Sequence, residues 1–82
     1  MPRQRHPDPD IERALRTAES SGWRIDVRHH GHVWGRMFCA HGHPHDQVSI
    51  WSTPRIGHDH AEALMRAIRR CQREVEQERS QN

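Results

Sequence analysis

Apolar residues recur along this chain first every three to four positions, then every second, then every three to four again. Ile11, Ala14, Leu15 and Ala18 stand at i, i+3, i+4 and i+7, the single apolar stripe of a helix. Asp8 can cap that helix, Pro9 suits its first turn, and Asp10 and Glu12 complement its positive end. Gly22 is placed to stop it. The period then falls to two, with Trp23, Ile25 and Val27 alternating against Arg24, Asp26 and Arg28, the pattern of a half-buried strand. Gly31 ends this strand in a short turn. The run HVWGRMFCA (32–40) is β-prone and predicts a second strand, and QVSIWS (47–52) predicts a third. Between them HGHPHD (41–46) carries a glycine and a proline and reads as a loop. The helical period returns with Leu64, Ile68, Cys71 and Val75, with Ala61 and Met65 beside them. Asp59 and Glu62 stand in a capping-box relation at its start.

The order is therefore α-β-β-β-α, an α+β fold with an antiparallel meander. Two helical stripes and one apolar sheet face have only each other to cover, so both helices are expected on one face of a three-stranded sheet. Residues 1–8 show no apolar period and are expected to form a disordered arm. The domain proper is expected over 9–76, with a frayed polar tail at 77–82.

Period two also predicts what looks outward. With Ile25, Val27, Val33, Met37, Val48 and Ile50 inside, the open face holds Arg24, Asp26, Arg28, His32, Trp34, Arg36, Phe38, Gln47, Ser49 and Trp51. Arginines beside large rings suit single-stranded RNA, because guanidinium groups neutralise phosphate and rings stack on bases. Arg24, Arg28 and Arg36 are the phosphate candidates, and Trp34 and Trp51 the stacking candidates. The alternatives for such a face are a protein interface, including a homodimer, and a second small core under the N-terminal arm.

Composition sharpens this only in part. The chain has 82 residues, 13 basic against 11 acidic, for a formal charge of +2. Every basic residue is arginine. A GC-rich genome produces the same bias, and +2 implies nucleic acid only where arginines cluster on one surface. At 32% hydrophobic residues there is material for one thin core. No run approaches the roughly 20 apolar residues of a membrane helix, and the polar start resembles no signal peptide, so a cytoplasmic protein is expected.

Six of the nine histidines fall between His29 and His45. His32, at a strand start on the face of Arg36, is the acid/base candidate: a histidine exchanges protons near neutral pH. Neighbouring guanidiniums can stabilise the charge that forms when a ribose 2′-hydroxyl attacks its own phosphate. That set is the minimum for a metal-independent endoribonuclease, a hydrolase that needs no cofactor. A metal site is the weaker alternative, with Cys39, His41 and His43 as one half of a zinc tetrahedron and His60 or Cys71 as the other. A solvated histidine loop competes with it, and Cys71 also fits the apolar stripe as a small hydrophobe.

SGW after the first helix, RHHGH at the first strand turn and LMRAIRRC in the last helix resemble the HicA family, over about residues 10 to 72. These are small toxins of bacterial toxin–antitoxin pairs, with a double-stranded-RNA-binding-like (dsRBD-like) fold, that cleave mRNA. The family turn reads Arg-x-x-Gly-Ser-His; here Arg28, Gly31 and His32 match and the serine is missing. The Gly-Thr-Leu lead into the last helix and the Pro-x-His after the third strand are also missing. The resemblance implies RNA as substrate, His32 as the catalytic residue, and a cognate antitoxin protein as partner. GHVWGR, VSIWSTPR and RAIRRC also resemble a group of small uncharacterised actinobacterial proteins, which adds nothing on mechanism. The reading kept beside the toxin is a non-catalytic binding module, zinc-stabilised or not, that uses the arginine and tryptophan face for RNA or a protein.

Overall fold

A computed structural model describes residues 3–39, 47–52 and 57–80, the last three by backbone alone. The order is α1 (Pro9–Ser20), β1 (Arg24–His30), β2 (Val33–Phe38), β3 (Gln47–Trp51) and α2 (Gly57–Ser80). The strands form one antiparallel sheet in the order β1-β2-β3. This is the α+β architecture that the periodicity predicts. No described helix is long and apolar enough to cross a membrane.

Helix α1 begins where its cap is. The Asp8 carboxylate accepts the amides of Asp10 at 2.9 Å and Ile11 at 3.1 Å, satisfying donors that the first turn leaves open. It ends in a Schellman-type turn: Gly22 takes φ +90° and the Trp23 amide donates back to the Ala18 carbonyl at 3.0 Å. Trp23 is thereby turned into the core. Helix α2 starts at Gly57, so Asp59 sits inside the first turn and acts on the helix dipole rather than as the cap of a box. The helix continues to Ser80, past the tail expected to fray from residue 77.

One core joins the layers. Ile11, Leu15, Leu64 and Ile68 from the helices meet Met37 and Ile50 from the sheet, all at most 2% exposed. Both helices therefore cover one face. The sheet register sets Ile25 against Met37 and Met37 against Val48 on the inner side. Gly35 lies between Val27 and Ile50. A Cβ on Gly35 would stand 2.5 Å from the Asp26 carbonyl oxygen and 3.1 Å from the Val27 Cα. Backbone cannot step aside as a side chain can. Gly35→Ala is expected to destabilise by on the order of 3 kcal/mol, read as a fall in urea midpoint at unchanged slope. A midpoint within error of wild type would show that β1 and β2 separate there without cost.

The segment ahead of α1, which composition alone leaves as a disordered arm, is fastened to the domain from residue 3. Arg3 grips the Glu12 carboxylate through two bonds of 2.9 and 3.1 Å and meets Glu19 with two more of 3.0 Å. The His6 amide donates to Glu12 at 2.8 Å, and the His6 ring is 2% exposed. No apolar period announces this docking because ion pairs and a histidine make it.

Candidate functional site

The open face of the sheet is the candidate site. Direct cross-strand partners share a face, so three rows look outward: Arg24, Phe38 and Gln47; Asp26, Arg36 and Ser49; His30, Val33 and Trp51. The Arg24 guanidinium lies over the Phe38 ring, 4.6 Å from its centroid, a cation–π contact that presets its plane. Arg28 binds Asp26 through contacts of 2.9 and 2.8 Å, so its charge is partly balanced. Among the described residues Arg24 and Arg36 meet no carboxylate within ion-pair distance. Asp26, Arg28, His30, Val33 and Arg36 line a shallow depression on this face.

Two irregularities reassign residues that strict alternation misplaces. Between Val27 and His30 the first strand carries two residues where β2 has one, and between Val33 and Gly35 β2 carries one that β3 does not match. Both are β-bulges, and they converge on Trp34. His29 takes φ +52° in the first of them. The result is a parity change in β2. Trp34, expected to stack bases on the open face, turns inward and is 2% exposed. Its ring sits 4.8 Å from that of His6 and 6.1 Å from that of His29. Val33, expected inside, joins the outer row instead. Trp34 is therefore a core residue.

The same bulge places two histidines differently. His32 lies in the Gly31–His32 turn, one residue before β2, where its carbonyl accepts the Ser52 amide at 2.9 Å and hydroxyl at 3.0 Å. Its ring makes no hydrogen bond among the described residues, and it does not line the depression. His30 does, next to Arg28 and Arg36. Alternation counted from Val27 puts residues 28 and 30 outward, so the signal for His30 was present in the sequence.

Trp51 is the large exposed ring of the face, at 43%. Its backbone is held from both sides: its amide donates to His60 Nε2 at 3.2 Å and its carbonyl lies 2.9 Å from His6 Nε2. The Asp8 amide donates to His6 Nδ1 at 3.0 Å, which requires a lone pair there, so Nε2 carries the hydrogen given to Trp51. Two imidazoles thus cover the β3 edge at the point where it would otherwise offer free backbone groups to another strand. Partial burial first, and the nearby His6 second, push the His60 pKa down, against the opposing pull of Asp8. That suits a ring whose Nε2 must stay unprotonated to accept the Trp51 amide.

His60 and Cys71 stand eleven residues apart on one helix, about 16 Å along its axis, so at most one of them could join Cys39 at an ion. His60 already accepts a hydrogen bond, and Cys39 and Cys71 are both buried with the core. His41 and His43 lie outside the described residues. Among the described residues no group of three or more potential ligands stands together.

No family model, curated protein or solved structure matches this chain. What the fold and the site define is a class: a small helix-backed sheet with an arginine–aromatic open face.

Proposed function

We propose that this chain binds single-stranded RNA across the open face of its sheet. One observation carries the proposal: Arg24, Arg36, Phe38 and Trp51 come from three different strands and share one solvent-facing surface, beside a depression holding Arg28 and His30. Among the described residues no carboxylate balances the charge of Arg24 and Arg36, and phosphate is the natural counter-group. Trp51 offers a base a π-face, and Phe38 does so under the guanidinium of Arg24. For cleavage, the activity that the HicA resemblance implies, His30 is the histidine that lines the depression with Arg28 and Arg36. His30 would take the proton of a ribose 2′-hydroxyl as that oxygen attacks the adjoining phosphorus, and would return it to the 5′-oxygen as the P–O5′ bond breaks, while Arg28 and Arg36 face the phosphate. In a toxin–antitoxin pair, an antitoxin that covered this face would silence the protein.

The test is anisotropy of a labelled single-stranded RNA with wild type, Arg24→Gln/Arg36→Gln and Trp51→Ala, followed by a gel of the same RNA. Each variant should weaken binding by about tenfold or more, the size of one stacked base or a pair of phosphate contacts. On the gel, His30→Ala should leave the RNA intact while His32→Ala still cuts it. Affinities equal to wild type in both binding variants would refute the proposal and leave the face as a protein interface.

A further inference from the structure

Three hydrogen bonds tie the N-terminal arm, the end of the sheet and the last helix into one chain of fixed direction. The Asp8 amide donates to His6 Nδ1 at 3.0 Å, His6 Nε2 donates to the Trp51 carbonyl at 2.9 Å, and the Trp51 amide donates to His60 Nε2 at 3.2 Å. Two of the three acceptors are imidazole nitrogens, so the chain closes only with both rings neutral. The arm is pinned on either side of His6. Arg3 holds Glu12 and Glu19, while the Asp8 carboxylate caps α1 and packs against Gly57 at the start of α2. Between these pins the His6 ring is buried, 4.8 Å from the ring of Trp34.

We propose that His6 and His60 form a pH-operated strap: protonation of the two imidazoles frees the middle of the arm from Trp51 and uncovers the end of the β3 edge. A proton on His6 Nδ1 faces the Asp8 N–H, and a proton on His60 Nε2 faces the Trp51 N–H. Each acceptor becomes a donor aimed at a donor, and on His6 the new charge sits in a buried place. The surrounding charges set the sign. Arg5, Arg13 and Arg16 line the cleft beside His6, and each ring faces the other, all of which disfavours an imidazolium. Asp8 from the arm and Glu12 from α1 favour one, but Glu12 is engaged by Arg3 and Arg16. On the sheet His29 meets the same Trp34 ring, and on α2 Asp59 adjoins His60 while Glu62 is engaged by His58. Partial burial first, then His6, hold the His60 pKa below its ordinary 6.5 against the pull of Asp8. The closed strap thus binds fewer protons than the open one. Its stability is complete above pH 6.5 and is lost as the pH falls below that value. Glu12, with a pKa of about 2, stays ionised throughout, so Arg3 remains anchored and the strap can reclose. Resting on the reading of the sheet face above, the strap makes RNA binding at Trp51 depend on pH; its opening needs no RNA.

Amide hydrogen exchange of the whole chain, followed by NMR from pH 7.5 to 5.0 and corrected for the intrinsic rate at each pH, reads the strap directly. Protection of the Trp51 amide should fall about tenfold or more below pH 6.5, while the Leu15 and Ile68 amides keep theirs. His6→Gln/His60→Gln replaces each ring with a donor and an acceptor that do not titrate, so its Trp51 protection should change by less than about twofold over the same range. His60→Gln alone, at a half-buried position, should shrink the Trp51 step by about threefold or more. Level Trp51 protection in wild type overturns the proposal, as does a step that survives unchanged in the variants, which would assign it to another group. A loss shared by Leu15 and Ile68 overturns it too, because acid would then unfold the domain rather than open a strap. Affinity for single-stranded RNA at pH 7.5 tests the sheet face by itself, and its absence leaves the exchange result standing.

Discussion

Glu12→Gln is expected to lower stability at neutral pH by roughly 3 kcal/mol and to loosen the N-terminal arm. The side chain is 8% exposed, and burial alone would push its pKa up. Bonds from Arg3, the His6 amide and Arg16 outweigh burial and hold it at about 2, against an ordinary 4.5. A drop of that size corresponds to roughly 3 kcal/mol of preference for the folded, ionised state. The folded chain binds fewer protons here than the unfolded one, so this contribution is complete above pH 4.5. It disappears as the pH falls through that value towards 2. Removing the charge also leaves the Arg3 guanidinium, itself largely buried, with Glu19 as its remaining ion-pair partner among the described residues, which works in the same direction. Urea titrations of wild type and variant should differ widely at pH 7 and converge near pH 2. A gap that persists unchanged at pH 2 would mean that packing, rather than charge, fixes the arm.

Trp34 and Trp51 should behave in opposite ways, and this contrast has the largest expected effects in the molecule. Trp34→Ala removes a ring that is 2% exposed, lodged against His6 and His29, and should cost about 3 to 5 kcal/mol. For a domain of this size that consumes most of the available stability, so the variant is expected to be largely unfolded. Trp51→Ala removes an outward ring at 43% exposure whose backbone is held by His6 and His60. Its melting temperature should move little while RNA affinity falls. Thermal melts followed by circular dichroism separate the two. Equal melting temperatures in the two variants would place both rings on the surface and return Trp34 to the candidate site.

The helices, the three strands and the shared core were legible because periodicity reports burial, and Ile11, Leu15, Ile25, Leu64 and Ile68 keep strict periods. The outer rows of β1 and β3 followed for the same reason. The inward turn of Trp34 was not legible, since a bulge adds one residue and reverses every assignment beyond it. Gly35 was the available cue, a glycine inside a strand pattern. His32 was expected on the open face by counting from Val33, whereas the bulge at Trp34 reverses that count and His30 lines the depression. The docked arm was hidden because Arg3 and His6 bind partners far along the chain, and the binary pattern records hydrophobicity, not ion pairs.

Amide chemical-shift mapping of the folded protein against a short single-stranded RNA tests the central claim most directly. The account predicts shifts concentrated at Arg24, Asp26, His30, Arg36, Phe38, Ser49 and Trp51, with the Ile11 to Ala18 stripe unmoved. Binding that shifts α1 or the arm and leaves those sheet residues in place would contradict it, as would saturating RNA that moves nothing.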